Sequence, residues 1–330
     1  MPHSYDLLVI GDANPDIVLG PLDAPLAFGQ REQLVDTGLL TLGGSAAIMA
    51  CGAARLGLKV AFAGRVGDDD AGRFVRTALN ARGVDTDALC VDPGLPTPLT
   101  VVVTRGDGDR TILTSPGTLP ATGPDDVPEA LLTGSRHVHA ASYFLLPKLA
   151  DALPELLATA RAHGATTSLD TNDDPSGEWA PGRIDATLAV TDFLLPNAQE
   201  ALALASAAGS PDTAAGSFAS AGSLEAAAGA LAARGSRVVV KNGADGALVH
   251  DGRTLLRTPG IPARPLDTVG AGDSFDAGFI AALLRGLSTA EALEFAAACG
   301  ALSTRAHGGT TAQPTWDEAR TALARNGKNL

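Results

Sequence analysis

Basic residues, and lysines above all, are scarce in this sequence of 330 residues. Its 24 Lys and Arg residues face 37 Asp and Glu residues, which gives a formal net charge of -13 at pH 7. The lysines are Lys59, Lys148, Lys241 and Lys328. A protein of this charge repels a polyphosphate backbone, so we expect no nucleic-acid partner. A small phosphorylated molecule is not excluded, because a local pocket of N–H groups can oppose the overall field.

Cysteines and long apolar runs are also few. The cysteines are Cys51, Cys90 and Cys299. Three widely spaced cysteines are typical of reduced thiols in a reducing compartment. The apolar run 7–10 is too short for a signal peptide, and Gly43-Gly44-Ser45 interrupts the longest uncharged tract, residues 37–54. We therefore expect a cytoplasmic protein without a membrane-spanning helix.

Two common nucleotide-binding motifs are missing. The sequence contains no Gly-x-x-x-x-Gly-Lys-Ser/Thr string, which excludes a P-loop enzyme. Gly270-x-Gly272 lacks the third glycine of the dinucleotide fingerprint, because Phe275 stands there. It also lies near the end of the chain rather than after the first strand, which disfavours a dinucleotide fold.

A turn of small residues, Gly270-Ala271-Gly272, opens an apolar helix near the carboxyl end. Such a turn leaves backbone N–H groups unpaired at the positive end of the helix dipole, where anions bind readily. Asp273 follows in the first helical turn. Phosphoryl transfer to a hydroxyl needs an anion cradle beside a base. We therefore predict Gly270, Ala271 and Gly272 as the anion hole and Asp273 as the general base. A helix capped by an aspartate is the alternative for this turn alone.

Strand and helix patterns alternate along the chain, which is typical of a parallel α/β sheet. The predicted strands are 5–11, 59–66, 137–140, 166–170, 193–195 and 237–242, and the predicted helices are 46–56, 72–82, 148–163, 289–304 and 317–325. Two further strands, 99–104 and 111–114, flank Gly106-Asp107-Gly108, which is a hairpin signal. The nearly low-complexity stretch Gly209–Gly222 is predicted to be a loop.

The string Asp-Thr-x-Gly-Ala-Gly-Asp-x-x-x-Ala-Gly-Phe, residues 267–279, resembles the C-terminal signature of the ribokinase-like (PfkB) family of carbohydrate kinases at every motif position. The resemblance implies one α/β domain, residues 1–330, folded as a ribokinase-like three-layer sandwich with a mainly parallel central sheet. It also implies a small β lid formed by insertions at about 13–42 and 96–116, and dimerisation through that lid. The cofactors that it implies are ATP, Mg²⁺ and K⁺.

The resemblance places the acceptor sugar beside the end of the first strand. Gly11, Asn14 and Asp16 fit the family's Gly-x-x-Asn-x-Asp pattern, which grips sugar hydroxyls. Asn14 and Asp16 are therefore predicted substrate-binding residues, together with Asp273. Taken alone, the stretch 12–16 is equally typical of a polar turn.

Two glycines and one lid arginine complete the predicted acceptor side. Gly43 and Gly44 resemble the N-terminal signature in which a turn approaches the sugar, although close helix packing is an alternative. Arg110 lies on the expected lid, and an exposed hairpin charge is its alternative interpretation. Ile48 stands where the family usually has asparagine, which leaves the acceptor open.

The resemblance also implies metal and nucleotide contacts. Asn197 and Glu200 would order the water shell of Mg²⁺, which needs few protein ligands, although their spacing alone is that of a capping box. Asp267 would bind the monovalent cation. The predicted nucleotide-binding residues are Asn197, Lys241, Gly243, Gly246, Gly270 and Gly272.

We therefore predict an ATP-dependent kinase that phosphorylates a hydroxymethyl group of a small sugar, a neutral pentose or hexose or a related sugar acid. An acidic sugar would need a basic or tyrosine cluster on the lid, where Arg105 and Arg110 are almost the only candidates. A nucleoside kinase of the same family is one alternative. A non-catalytic sugar- or nucleotide-binding protein is another, which the intact Asp273 disfavours.

Overall fold

Strands and helices alternate over the residues that the computed structural model describes, 3–107, 109–179, 182–208 and 223–328. Within them the strands are β1 (Tyr5–Ile10), β2 (Asn14–Gly20), β3 (Thr37–Gly43), β4 (Val60–Gly67), β5 (Val84–Asp85), β6 (Leu89–Asp92), β7 (Leu99–Thr104), β8 (Arg110–Ser115), β9 (Ser135–Ala141), β10 (Thr166–Asp170), β11 (Phe193–Leu194), β12 (Arg237–Lys241), β13 (Ala247–His250) and β14 (Leu255–Thr258). The α-helices there are α1 (Ser45–Arg55), α2 (Asp70–Asn80), α3 (Glu129–Gly134), α4 (Pro147–Ala162), α5 (Ile184–Ala189), α6 (Ala198–Ala208), α7 (Leu224–Ala232), α8 (Ala271–Leu284), α9 (Thr289–Ser303) and α10 (Trp316–Arg325). The predicted loop Gly209–Gly222 lies outside the described residues.

The central sheet has the strand order β14-β13-β12-β11-β10-β9-β1-β4-β5, with β6 also paired to β4. Neighbours from β12 to β5 run parallel, as does β6 beside β4, and β13 and β14 extend one edge antiparallel. Parallel strands are covered on both faces, which explains the uninterrupted apolar run of β1. Its residues Leu7, Leu8, Val9 and Ile10 are all fully buried.

Helices cover both faces of this sheet. Leu7 and Val9 face the layer that contains α1, α2, α8, α9 and α10, whereas Leu8 and Ile10 face the layer that contains α3 to α7. Alternate residues of a strand point to opposite faces, so one strand contributes to two hydrophobic cores. The three-layer α/β architecture with a mainly parallel sheet is thereby confirmed.

A separate four-stranded sheet has the order β3-β2-β7-β8. Asn14 is the first residue of β2 and pairs with Gly43 of β3, so the polar-turn interpretation of residues 12–16 is wrong. Strands β7 and β8 pair antiparallel, as the hairpin signal predicts, although Gly108 lies outside the described residues. The sheet lies within residues 14–43 and 99–115. Its role as a lid, with the expected boundaries, stays a prediction.

The carboxyl ends of the parallel strands bring polar residues to one edge of the central sheet, where ligands bind in open α/β folds. β1 is followed by Asp12, β9 by Ser142 and β10 by Thr171 and Asn172, and β12 ends at Lys241. Within the described residues, no helix is both long enough and apolar enough to cross a membrane. The cytoplasmic location stays a prediction.

Candidate active site

A cleft of about 610 Å³ opens at this edge of the central sheet. The predicted site residues that line it are Arg110, Asn197, Glu200, Lys241, Gly243, Gly246, Gly270, Ala271, Gly272 and Asp273. They come from four separate stretches of the chain: β8, the start of α6, the end of β12 with the turn after it, and the start of α8. The cleft therefore unites most of the residues that the sequence singled out.

The turn before α8 requires glycine and presents backbone donors. Gly270 has φ 73°, and a Cβ there would lie 2.6 Å from Cα of Gly309. The Ala271 N–H donates to the Thr268 carbonyl at 3.3 Å. The N–H groups of Gly272 and Asp273 have no hydrogen-bond partner among the described residues, as is usual in the first turn of a helix. This end of α8 can therefore accept an anion from the cleft.

Asp273 lies in the first turn of α8, half-buried in the wall of the cleft. The Ser45 hydroxyl donates a hydrogen bond to its Oδ1. Burial raises the pKa of Asp273 to about 7, helped by the negative charges of Asp170 and Asp12, while Ser45 and the ammonium of Lys241 oppose the rise. A pKa near neutrality suits a group that removes a proton from an alcohol.

Lys241 does not face the cleft as a free cation. Its Nζ lies 2.6 Å from Oδ2 of Asp170 and 3.0 Å from Oδ2 of Asp276. Burial alone would lower the pKa of Lys241, but the surrounding carboxylates, Asp170 first, raise it above its ordinary value. Burial raises the pKa of Asp276, whose Oδ1 has no hydrogen-bond partner among the described residues.

Asp170, Asp273 and Asp276 each place a carboxylate oxygen within 4.8 Å of the other two. In the described parts of the chain, no other group of three or more His, Cys, Asp or Glu side chains lies close enough together to hold a metal ion. Two of them bind the Lys241 ammonium, which takes the place that a metal ion would need. Sequence reasoning missed Asp276. Its spacing of three residues from Asp273, on one helix face, is a signal that could have found it.

Asn197 and Glu200 form a reciprocal cap at the start of α6. The Asn197 N–H and side-chain amide donate to the Glu200 carboxylate at 2.8 and 2.6 Å, and the Glu200 N–H donates to Asn197 Oδ1 at 2.9 Å. Burial raises the pKa of Glu200 to about 7, with a further contribution from Asp170. Both residues line the cleft, and each oxygen keeps a lone pair for a water molecule. They fit a water-mediated role toward Mg²⁺.

Asp267 ties the loop before α8 to the loop that follows α9. Its Oδ1 accepts the Val269 N–H and its Oδ2 accepts the Gly308 N–H, both at 2.9 Å. The Thr304 carbonyl accepts the N–H of Leu266 at 2.8 Å. Carboxylate and carbonyl oxygens are hard ligands of the kind that a monovalent cation binds. The Asp267 carboxylate and the Thr304 carbonyl therefore have the chemistry that such a cation needs.

The predicted nucleotide-binding glycines Gly243 and Gly246 lie in a tight turn after β12. Gly243 has φ 55° and Gly246 has φ 93°. A Cβ on Gly246 would lie 2.0 Å from the Thr258 carbonyl oxygen, so only glycine fits. Both glycines line the cleft, which gives a ligand close access to the backbone.

The predicted acceptor-side residues Asn14, Asp16 and Gly43 lie together in the paired strands β2 and β3 of the small sheet. The Asn14 amide donates to Asp16 at 2.7 Å and to the Thr100 hydroxyl at 3.1 Å. Burial raises the pKa of Asp16 to about 7, helped by Asp12. A Cβ on Gly43 would lie 2.0 Å from Oδ1 of Asp16, so the glycine lets strand β3 approach that carboxylate.

Asp12 joins the acceptor side to the helix α1. Its carboxylate accepts the Ser45 N–H at 3.1 Å and the Ala46 N–H at 3.0 Å. Gly44, the residue before α1, has φ 88°, and a Cβ there would lie 2.8 Å from the Asp12 carbonyl oxygen. Ser45, which sequence reasoning missed, is thereby held beside Asp273.

Arg110 and Ile48 both contact the loops around Gly270. The Arg110 guanidinium on β8 donates to the Thr268 hydroxyl at 3.2 Å and so connects the small sheet to the loop before α8. Ile48 is 3% exposed, and its Cγ2 would lie 3.0 Å from a Cβ on Gly270. It packs against Gly309 as well. The side chain that replaces the family's usual asparagine thus supports these loops.

Comparison with known proteins decides the family. A model described as pfkB family carbohydrate kinase matches residues 5–316. The chain belongs to this family. It is accordingly a phosphotransferase with an alcohol group as acceptor, as the sequence predicted, and a non-catalytic binding protein is disfavoured.

Relatives of this pfkB family member include sugar, sugar-phosphate and nucleoside kinases. An ATP-dependent ribose-1-phosphate kinase of Halopiger xanaduensis is 31% identical over 312 residues, 94% of this chain and 95% of that protein. Aminoimidazole riboside kinase of Salmonella typhimurium is 30% identical over 353 residues, 96% of this chain and 94% of that protein. A ribokinase II structure from E. coli, in complex with ATP and Mg²⁺, matches with a TM-score of 0.80 at 25% identity, covering 97% of this chain and 99% of that one.

Proposed function

We propose that this pfkB family member is an ATP-dependent kinase that phosphorylates a hydroxymethyl group of a small neutral sugar, a pentose or hexose. The observation that carries the proposal is the first turn of α8. It presents the carboxylate of Asp273 and the unpaired N–H groups of Gly272 and Asp273 to one cleft. A base and an anion cradle on the same turn are what phosphoryl transfer to an alcohol requires.

In the proposed reaction Asp273 accepts the proton of the acceptor hydroxyl. Ser45 occupies its Oδ1, so Oδ2 is the oxygen available for that proton. The N–H groups of Gly272 and Asp273 donate to oxygens of the phosphoryl group in transfer, where negative charge is spread in the transition state. These donors belong to a helix whose start is held by Gly270 and Gly309, so they need no rearrangement to act.

ATP would occupy the part of the cleft lined by Gly243, Gly246 and the start of α8. The E. coli structure that resembles this chain holds ATP and Mg²⁺, which supports both as cofactors here. Asn197 and Glu200 would hold Mg²⁺ through water, and the ion when bound supplies positive charge to the phosphates. Asp267 would bind K⁺ beneath the loop that precedes Gly270.

A neutral acceptor is favoured by the charges on the acceptor side. Asp12, Asn14 and Asp16 are buried and offer oxygen atoms that accept hydrogen bonds from hydroxyls, and the carboxylates of Asp12 and Asp16 repel anions when they are ionised. A related sugar acid would therefore bind less well than a neutral sugar. The Salmonella relative acts on a riboside, which makes a nucleoside the second candidate for the acceptor.

The small sheet would act as the lid over the acceptor. Arg110 already joins this sheet to Thr268 beside the cleft.

The small sheet also has features of a dimer interface. Its strand β8 is an edge strand that is exposed along its whole length, and large apolar side chains are exposed on the sheet at Leu39, Leu40, Ile112 and Leu113. Such an edge favours pairing with a second copy. Sedimentation should then show a dimer, and Leu113→Lys should shift it toward the monomer.

A coupled assay of ADP release tests the proposal. We expect Mg²⁺-dependent ADP formation from ATP that one neutral pentose or hexose stimulates. The panel should include ribose 1-phosphate, sugar acids and nucleosides. Stimulation by nucleosides alone would select the second candidate, and no turnover with any acceptor would contradict the kinase assignment.

A further inference from the structure

The Ser45 hydroxyl is held at a fixed point beside the proposed base. Ser45 is the first residue of α1, directly after Gly44, whose φ is 88°. The Asp12 carboxylate accepts the N–H groups of Ser45 and Ala46 at 3.1 and 3.0 Å. The backbone that carries the hydroxyl is therefore anchored to the carboxyl end of β1.

Asn172 fixes the direction in which this hydroxyl donates. Its Oδ1 accepts the Ser142 N–H at 2.7 Å, and since a backbone N–H can only donate, the amide nitrogen is the atom that faces Ser45. Nδ2 donates to Ser45 Oγ at 2.9 Å. The Ser45 hydroxyl has one proton, and its other hydrogen-bond partner among the described residues is Oδ1 of Asp273, to which it donates.

We propose that Ser45, oriented by Asn172, is a positioning residue of the kinase reaction. Its hydroxyl binds Oδ1 of Asp273 and leaves Oδ2 as the single oxygen that faces the acceptor hydroxyl. This inference rests on the proposed function. It adds a role for two residues outside the glycine-aspartate motif.

The hydrogen bond also favours the ionised form of Asp273, which is the form that acts as a base. The other groups that face this carboxylate are Asp170 and Asp12, which raise its pKa, and Lys241, which lowers it. Asp276 on the next turn of α8 adds a fourth group. Removing the Ser45 hydroxyl leaves the acidic neighbours in place, so Asp273 should then take up a proton at a higher pH.

The test compares the pH dependence of kcat/KM for the wild type and Ser45→Ala with the best acceptor of the ADP assay. We expect kcat to fall roughly 10- to 100-fold, as for loss of a hydrogen bond to a charged group, with KM for ATP within a few-fold. The acidic limb should move to higher pH by about one unit. Ser45→Thr, which keeps a hydroxyl, should restore both the rate and the limb.

Two further variants test the hydrogen bonds that lead from Asn172 through Ser45 to Asp273. Asn172 has φ 55°, a left-handed conformation that glycine adopts freely, so Asn172→Gly removes the Nδ2 donor to Ser45, together with the acceptor of the Ser142 N–H, without new backbone strain. This variant should move the acidic limb of the pH profile to higher pH by less than Ser45→Ala does. The double variant Ser45→Ala/Asn172→Gly should have a kcat no lower than that of Ser45→Ala alone. Ser206→Ala removes an exposed hydroxyl bonded to the Leu202 carbonyl and should change nothing.

An unchanged acidic limb in Ser45→Ala would overturn the inference, whatever happens to the rate. So would a loss that Ser45→Thr fails to restore while both variants keep the melting temperature of the wild type. A wild type without kinase activity would instead contradict the proposed function.

Discussion

The ammonium of Lys241 and the carboxylate of Asp170 form a buried ion pair of 2.6 Å, with only 10% and 2% of their side chains exposed. Asp276 accepts a second bond from the same Nζ. Desolvation of such charges is costly, and their mutual attraction offsets the cost only while every partner is present. The floor of the cleft is therefore sensitive to the loss of one cation.

Lys241→Met should destabilise the fold by about 3–5 kcal/mol at pH 7, because it leaves carboxylates buried without a counter-ion. The loss of stability should be smaller at low pH, where Asp170 and Asp276 can take up protons and become neutral. Urea unfolding at pH 5 and pH 7 measures both effects. Lys148→Met, at an exposed position of α4, should change stability by less than about 0.5 kcal/mol. Equal stability of the two variants would show that the pair contributes little.

Asp273→Asn should reduce kcat by roughly 10²–10⁴, the usual contribution of a general base, with ATP affinity within a few-fold of the wild type. The amide keeps the size of the side chain and loses its basicity. Steady-state rates and ATP titration measure the two quantities. Asp317→Asn on the exposed part of α10 is the matched control. A variant at Asp273 with full turnover would remove the base assignment.

The rate should depend on pH through Asp273, whose pKa burial raises to about 7. The base acts in its deprotonated form, so kcat/KM should be low below pH 6 and rise to a plateau above pH 8. Initial rates between pH 5 and 9 at constant ionic strength show the limb. The residual rate of Asp273→Asn should show no acidic limb. If that variant shows the same limb as the wild type, a group other than Asp273 is the one that titrates.

Gly270→Ala should both destabilise the protein and lower its activity. The left-handed backbone at φ 73° costs about 1–2 kcal/mol for alanine. The new Cβ would also lie 2.6 Å from Cα of Gly309, which must displace the turn. A shift of 1 Å at a catalytic group can cost about 10²-fold in rate.

Gly286→Ala separates these two causes. Gly286 has φ 84°, and a Cβ there would meet nothing within 4 Å. It should lose comparable stability from the backbone and keep its kcat. Equal rates in the two alanine variants would show that contact with Gly309 does not hold the anion cradle.

Potassium in place of lithium should raise kcat, because a cation at Asp267 would brace the loop beneath Gly270. Asp267→Asn keeps one oxygen acceptor and should lose most of this response. Rates in matched chloride salts at equal ionic strength measure it. A wild type that is indifferent to the ion would remove the cation site at Asp267.

The sequence predicted the local structure around the proposed site well where that structure follows local rules. A glycine turn that opens a helix predicts free N–H groups whatever the rest of the chain does, and Gly270–Asp273 show this. The apolar runs predicted the strands whose carboxyl ends carry Asp12, Asp170 and Lys241, because parallel strands are buried on both faces.

Local rules failed where a partner lies far along the chain. Residues 12–16 have the composition of a turn, yet Asn14 begins a strand because it pairs with Gly43 of β3, where a side chain would collide with the Asp16 carboxylate. Ile48 departs from the family pattern, and only its packing on Gly270 and Gly309 shows what it does.

By itself, the sequence determined the alternation of strands and helices along the chain, the glycine turn and the aspartate beside it, since each depends on neighbouring residues alone. Tertiary structure decided how that aspartate is held and charged. Ser45 and Lys241 lie 228 and 35 residues from their partners Asp273 and Asp276. No local pattern encodes such contacts, because strand pairing and desolvation, which set the distances and the pKa values, exist only in the folded chain.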